Sequence, residues 1–386
     1  MAEKKKLLVT ASTFPRWEGD TEPRFVLDLA SHMTNEFDVT VLAPAAPGAK
    51  NKEVLEGVNV VRYHYFPIHS LETLCYPGAI VPRIREKKIR ALLVPFLLLS
   101  LWFHLLIMLP KFDVVHAHWL IPQGIVQSFF KKPYIVTGHG GDVMSLNKGL
   151  FMALKKRCLK KAKKVTVVSE PLKKKVMEIE PSVEPSVISM GVNVSKFGKQ
   201  HFVSNYFGQN DKKVILFVGR LVEVKGVQYL IDAMKNINAM LVIVGDGPLR
   251  SQLEQQGRIL GSRIKFLGAK THDELKQIFA SADVFVMPSV TTADGAREGL
   301  GLVALEAMAS GLPVIASDSG GISQVIRQGQ NGLLFKEKDI TNLKENIELL
   351  IRDEHFYKEI VKQSEKTLLN YDYSKIAERY VKMIHE

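Results

Sequence analysis

Short apolar runs rich in β-branched residues alternate with stretches of helical periodicity along the whole chain, the pattern of parallel strands covered by helices. In the first half it predicts strands at 6–11, 38–43, 58–65, 113–117, 134–137 and 164–168. The series restarts at 214–218 and continues at 240–244, 264–267, 284–288 and 314–316. Between the two series, Ile188–Asn193 leads through Phe197 into a polar stretch ending at Lys213, which reads as a linker. Helical patterns follow at 321–328, 340–352 and 355–369, and a last one at 374–383 has no sheet of its own to join. Two doubly wound domains result, 1–195 and 196–370, each placing ligands beyond the carboxyl ends of its strands. A chain of 386 residues exceeds what one hydrophobic core usually supports, which agrees with that division.

One segment departs from the pattern. Residues 91–109 are apolar apart from Pro95, Ser100 and His104, long enough to test as a membrane span. The strand pattern resumes at once with Asp113-Val114-Val115-His116, and a span here would put two sides of one domain in different compartments. That leaves a core helix or a helix against a membrane surface. Arg83, Arg85, Lys87, Lys88 and Arg90 just ahead of it suit anionic lipid.

Charge sharpens this asymmetry. Residues 1–195 carry 27 Lys and Arg against 17 Asp and Glu, and residues 196–386 carry 25 against 23, so the excess of +12 belongs almost wholly to the first half. Clusters at Lys155-Lys156-Arg157, Lys160-Lys161, Lys163-Lys164 and Lys173-Lys174-Lys175 read either as a solvated helix face or as a surface for an anionic partner. Nucleic acid is not expected, because no aromatic-rich recognition module accompanies the lysines. Two distant cysteines, Cys75 and Cys158, form no disulfide framework and point to a reducing, cytoplasmic compartment. The apolar stretch within Met1–Thr13 is too short for a secretory signal and reads as a first strand.

The chemistry concentrates in loops after strands. Glu298 and Glu306 flank a glycine-bearing helix start, Gly299-Leu300-Gly301-Leu302, whose free amides and positive end suit a phosphate. Eight residues is a little over two turns, so Glu306 lies along the helix while Glu298 stays in the loop. Arg220 and Lys225-Gly226 put two cations after the strand at 214–218, able to neutralise a diphosphate. The next strand ends in Gly245-Asp246-Gly247-Pro248, a tight turn with the proline preset for a first helical turn. In the first domain Gly19 follows the first strand, His116, His118 and Trp119 end another, and Gly138-His139-Gly140-Gly141-Asp142 ends the next. These histidines lack zinc-type spacing, so no metal site is expected, and an acceptor-binding, proton-handling role fits better.

Taken in order, Thr13–Trp17 through Phe25-Val26-Leu27, Asp113–Trp119, Gly138–Asp142, Val218-Gly219-Arg220 with Lys225-Gly226, Gly245–Pro248 and Glu298–Glu306 resemble a family 4 retaining glycosyltransferase of the GT-B fold over essentially the whole chain. The resemblance implies two doubly wound, parallel-sheet α/β Rossmann-like domains facing across a cleft. The N-terminal domain would bind acceptor and the C-terminal one the donor, with a last helix, 371–386, crossing back to the first domain. It implies Arg220 and Lys225 on the donor diphosphate, Glu306 on the ribose, and Glu298 on the transferred sugar. Backbone at Leu300, Gly301 and Leu302 would meet phosphate and sugar, and Leu267-Gly268 the nucleobase, with Gly19 and Gly245 also on the donor side. His118, His139 and Asp142 match the acceptor side, forming with Glu298 the catalytic group. Glu18-Gly19-Asp20 stands where the family has paired glycines.

The expected activity is retaining transfer from a UDP- or GDP-sugar to an acceptor hydroxyl in glycolipid, polysaccharide or other glycoconjugate synthesis. No cofactor beyond that co-substrate is required, since no Asp-x-Asp pair appears in the donor loops. A lipid-linked, anionic or saccharide acceptor and an anionic membrane surface are the expected partners. The alternatives are a sugar-nucleotide epimerase on the same fold and a catalytically silent, membrane-docking partner subunit.

Overall fold

The computed structural model describes residues 4–208, 212–293, 295 and 297–386. The chain forms two compact units, Met1–Met190 together with Tyr373–Glu386, and Gly191–Asp372. Of the polar stretch ending at Lys213, Gln209–Asp211 lie outside the described residues.

The first unit is built on β1 (Lys5–Thr10), β2 (Phe37–Pro44), β3 (Lys52–Leu55), β4 (Val58–Tyr63), β5 (Val114–His118), β6 (Tyr134–Gly138), β7 (Lys164–Val167) and β8 (Ser186–Val187). They run in the order β3-β4-β2-β1-β5-β6-β7-β8, parallel throughout except for the β3–β4 hairpin. Leu7, Leu8 and Val9 of β1 are all buried, because helices cover both faces and successive side chains point to opposite sides. The last helix, Tyr373–His385, packs in this unit: Tyr380 hydroxyl lies 3.2 Å from both Thr137 Oγ1 and Thr166 Oγ1.

The second unit holds β9 (Val214–Val218), β10 (Met240–Val244), β11 (Ile264–Gly268), β12 (Val284–Met287), β13 (Val314–Ser317) and β14 (Leu333–Phe335), in the order β11-β10-β9-β12-β13-β14. All its pairings are parallel. Strand periodicity divides the core in two: Val214, Leu216 and Val218 face one layer, Ile215 and Phe217 the other.

In both sheets the strand order reverses beside the first strand. Chain order grows outward from β1 through β2 on one side and β5 on the other, and from β9 through β10 on one side and β12 on the other. Such a switch point leaves a crevice at the carboxyl ends, which singles out the loops after β1, β5, β9 and β12.

Three short strands, β3, β8 and β14, escape the periodicity, being two to four residues long. The helix expected at 321–328 is reduced to one turn of 3-10 helix, Ile322–Gln324. The Asn331 side chain accepts from Arg327 N at 2.6 Å and donates to Val325 O, which diverts the backbone from helix. Pro248 also falls short of its expected place, since the following helix begins at Arg250.

Candidate active site

In the Gly191–Asp372 unit, the loop after β9 carries Arg220, exposed, and then one 3-10 turn, Glu223–Lys225, capped by Gly226. Gly226 sits where a Cβ would run into the Pro288 carbonyl, so only glycine lets this turn close onto the end of β12. That approach brings Lys225 to Glu298: Nζ and Oε2 are 2.5 Å apart, and both side chains are largely buried. Ser289 Oγ donates to the same oxygen at 3.3 Å. Burial pushes the Glu298 carboxyl up, but the charge and hydrogen bond of Lys225, the Gly299 N–H and Ser289 outweigh it and hold the group below the ordinary carboxylate range.

Beyond Glu298, buried Leu300 anchors the loop and Gly301 caps the helix Leu302–Ala309. Glu306 lies half-buried on that helix, two turns from Glu298 as its spacing requires. Gly245 follows β10 and donates its N–H to Gly268 O at 2.8 Å, so the loops after β10 and β11 are joined. Leu267 and Gly268 close β11, half-buried. All the donor-side positions picked out by motif except Gly19, which follows β1 in the first unit, therefore stand at or beyond the carboxyl ends of β9, β10, β11 and β12.

Motif reading missed three members of this constellation. Ser289 touches Glu298, and its carbonyl accepts from Ser317 Oγ at the end of β13. Gly320 packs so closely on the Glu298 carbonyl that a side chain would collide. Glu337 takes Thr291 N at 2.8 Å and Thr291 Oγ1 at 2.7 Å, pinning the start of the loop that leads to Glu298. The available signal was positional: Ser289 follows one strand directly and Ser319-Gly320-Gly321 the next, where functional loops of this architecture lie.

In the first unit, His116 and His118 point to one face of β5, two residues apart. His116 Nε2 meets Thr137 Oγ1 at 2.7 Å. His118 Nδ1 and His139 Nε2 share one hydrogen bond at 2.9 Å, so one nitrogen carries the proton and the other accepts. Burial pushes His116 and His139 down to about 3, and lowers His118 well below its usual value, the neighbouring imidazoles adding to the effect. The trio is neutral at physiological pH. Phe25 packs on His139 and Trp119, with ring centroids 5.1 and 5.7 Å away.

Asp142 is buried, and its carboxylate is engaged by backbone. Oδ1 accepts from His139 N at 3.1 Å and Gly140 N at 2.8 Å, and Oδ2 from Leu120 N at 2.7 Å. It ties the loop after β5 to the loop after β6, which makes it a positioning group for His118 and His139. Lys155 completes the arrangement from an unexpected place. Within a cluster read as solvated or anion-facing it is fully buried, donating to Val143 O, Ser145 O and, at 2.8 Å, Asn147 Oδ1. The signal was present: Lys155 shares the buried helix stripe with Cys158 and Leu159. Other lysines of these clusters are drawn into ion pairs, Lys160 with Glu180, Lys164 with Glu386, Lys173 with Glu184 and Lys175 with Glu178.

Gly19 stands in open space after β1. Its loop is organised by Asp20, which accepts from Arg16 Nε at 2.9 Å and Nη2 at 2.6 Å and from Thr21 N at 2.8 Å. Among the described residues no group of three His, Cys, Asp or Glu side chains is disposed to hold a metal ion.

Comparison with known proteins agrees with this layout. Residues 23–196 match the family described as Glycosyltransferase Family 4, and residues 201–367 that described as Glycosyl transferases group 1. An uncharacterized glycosyltransferase of Methanocaldococcus jannaschii is 32% identical, the alignment covering 93% of this chain and 94% of the relative. Among solved structures, sucrose-phosphate synthase of Thermosynechococcus elongatus superimposes with a TM-score of 0.78 at 21% identity, covering 99% of this chain and 98% of that one. HepE of Anabaena, solved with UDP-glucose, gives a TM-score of 0.73 at 20% identity over 98% and 99% of the two chains. These likenesses show the fold to be GT-B.

Proposed function

The chain belongs to glycosyltransferase family 4, and on that premise we propose that it transfers a sugar, with retention, from a UDP- or GDP-linked donor to an acceptor hydroxyl. The observation that carries the reading is the meeting of Lys225 and Glu298 at the switch point between β9 and β12, directly ahead of a helix N-terminus. A diphosphate there would meet Lys225, Arg220 and the amides of Leu300, Gly301 and Leu302. Glu298, held ionised and aimed by Lys225 and Ser289, would accept hydrogen bonds from hydroxyls of the transferred sugar. Glu306 would do the same for the ribose, and Leu267-Gly268 would flank the base. UDP-glucose bound to HepE supports a uridine donor.

In this reading Gly191–Asp372 is the donor unit and the first unit the acceptor unit. The leaving diphosphate gathers charge as the glycosidic bond breaks, and Lys225, Arg220 and the helix amides stabilise it, the kind of preorganised contact that accounts for much of catalysis. The acceptor hydroxyl attacks from the face the diphosphate leaves, and a phosphate oxygen takes its proton. The neutral pair His118 and His139 would supply one donor and one acceptor for orienting acceptor hydroxyls. The reaction needs no divalent metal in this scheme, because the two side-chain cations do its electrostatic work.

A thermal-shift panel of UDP, GDP, ADP and their sugars tests the donor assignment, since a ligand bound by the folded state raises the unfolding temperature. Stabilisation by one nucleoside diphosphate, lost in Lys225→Ala, is the expected result. No response to any of them would overturn it.

A further inference from the structure

The segment from Ala91 to Pro110 contains no Asp, Glu, Lys or Arg. Its helix, Val94–Met108, buries only Leu97, Leu101 and Leu105, one stripe at four-residue spacing. Ser100 fastens it to the sheet by donating to His64 O at 2.7 Å, just past β4. The opposite face follows three- and four-residue spacing and is open: Phe96, Leu99, Phe103, Leu106 and Ile107 are 43–65% exposed. Ile89 and Leu92 in the preceding turn are 70% and 66% exposed. A continuous apolar strip of this kind differs from the scattered single apolar residues of an ordinary surface.

Charge frames the strip at both ends. Before it come Arg83, Arg85, Lys87, Lys88 and Arg90 against one acid, Glu86, which Arg83 and Arg90 already engage. Lys87 and Lys88 are exposed. Lys111 follows the helix, and beside its last turns Trp102 packs on Phe130, ring centroids 5.9 Å apart, next to Lys131 and Lys132.

By length and composition Lys88–Lys111 could cross a bilayer. The packing argues for another placement. A helix with one stripe pinned to a sheet, and with both ends leading into parallel strands of that sheet, cannot be ringed by lipid. A second copy of the chain is a poor cover too. Both ends of the strip are basic, so parallel or antiparallel self-pairing sets cations against cations.

We infer that this strip docks the first unit on an anionic bilayer. The helix lies along the interface, Leu99, Phe103, Leu106 and Ile107 enter the acyl boundary, Trp102 sits at headgroup depth, and Lys87, Lys88 and Lys111 meet lipid phosphates. The inference goes beyond sugar transfer and does not depend on it.

Cosedimentation with vesicles of phosphatidylcholine alone or mixed with phosphatidylglycerol, without donor or acceptor, is the test. The protein pellets with the mixed vesicles at low salt and is released by added salt. Lys87→Ala with Lys88→Ala weakens binding about thirtyfold, from the typical contribution of each cation near an anionic surface. Leu99→Ser with Phe103→Ser abolishes it while the far-ultraviolet circular dichroism is unchanged. Brominated lipid quenches tryptophan emission, and Trp102→Phe removes the quenched component without preventing pelleting. Failure of the unaltered protein to pellet at low salt overturns the inference, as does binding that the Leu99 and Phe103 substitutions leave intact. A dimer that those substitutions convert to monomer, with no vesicle binding, assigns the strip to a second copy instead.

Discussion

Lys225 and Glu298, seventy-three residues apart in sequence, form a 2.5 Å ion pair at the junction of two loops that follow neighbouring parallel strands. Among the described residues neither side chain has another charged partner as close, and the glycine beside Lys225 is what lets the two loops approach. Under the proposed function the pair would present a cation to a diphosphate and a carboxylate to sugar hydroxyls at one point.

Removing either member should therefore disable transfer while the fold survives. Lys225→Ala and Glu298→Gln are each expected to lower kcat/KM by about a hundredfold to a thousandfold, the scale of losing one preorganised active-site contact. A double-mutant cycle by urea unfolding should return a coupling of about 1–3 kcal/mol. Additive effects in that cycle, or normal turnover, would refute the assignment.

Acid should loosen the first unit through its histidines. Their folded values lie below the unfolded one, His116 and His139 at about 3. The unfolded chain thus takes up protons that the folded one refuses. Their contribution is fully present above the unfolded value near 6.5 and is lost as pH falls from there toward 3. Each contributes a slope of about 1.4 kcal/mol per pH unit within that window. Urea unfolding from about pH 7 to about pH 5 should show it, with a shallower slope in His116→Asn.

Lys155→Met should cost on the order of 2–4 kcal/mol, because it takes the buried ammonium away from the half-buried Ser145 carbonyl and Asn147 amide oxygen and leaves the Val143 carbonyl only the Asn147 amide as donor. Equal denaturant midpoints for wild type and variant would show that the lysine does not hold this loop. The loop also carries Asp142, so acceptor KM should rise more than donor KM.

Gly226→Ala and Gly320→Ala meet backbone carbonyls of Pro288 and Glu298. Each should abolish nucleotide stabilisation in a thermal-shift assay even where the protein still folds, because the loops that present Lys225 and Glu298 must move apart. An unchanged response to nucleotide would count against that packing.

Activity should persist in excess chelator, with Lys225 and Arg220 supplying the charge that a divalent ion would otherwise bring. Loss of turnover restored by Mg²⁺ or Mn²⁺ would contradict the metal-free scheme.

Much of this was legible from residue pattern. Strand and helix periodicity marks two parallel-sheet units, since both depend on local alternation and on which faces are buried. Gly19, His118, His139, Arg220, Lys225 and Glu298 were legible as lying at or after strand ends, because chain topology alone sends those loops to the carboxyl end of each sheet. Partnership was not legible. That Asp142 would be occupied by three backbone amides, that Lys155 would leave the solvated face for a buried cage, and that Ser289 and Gly320 would wrap Glu298 depend on which loops meet. Periodicity records how each residue faces its own element, whereas hydrogen-bond partners in other loops follow from parallel register and close backbone approach, which exist only once the sheets are assembled.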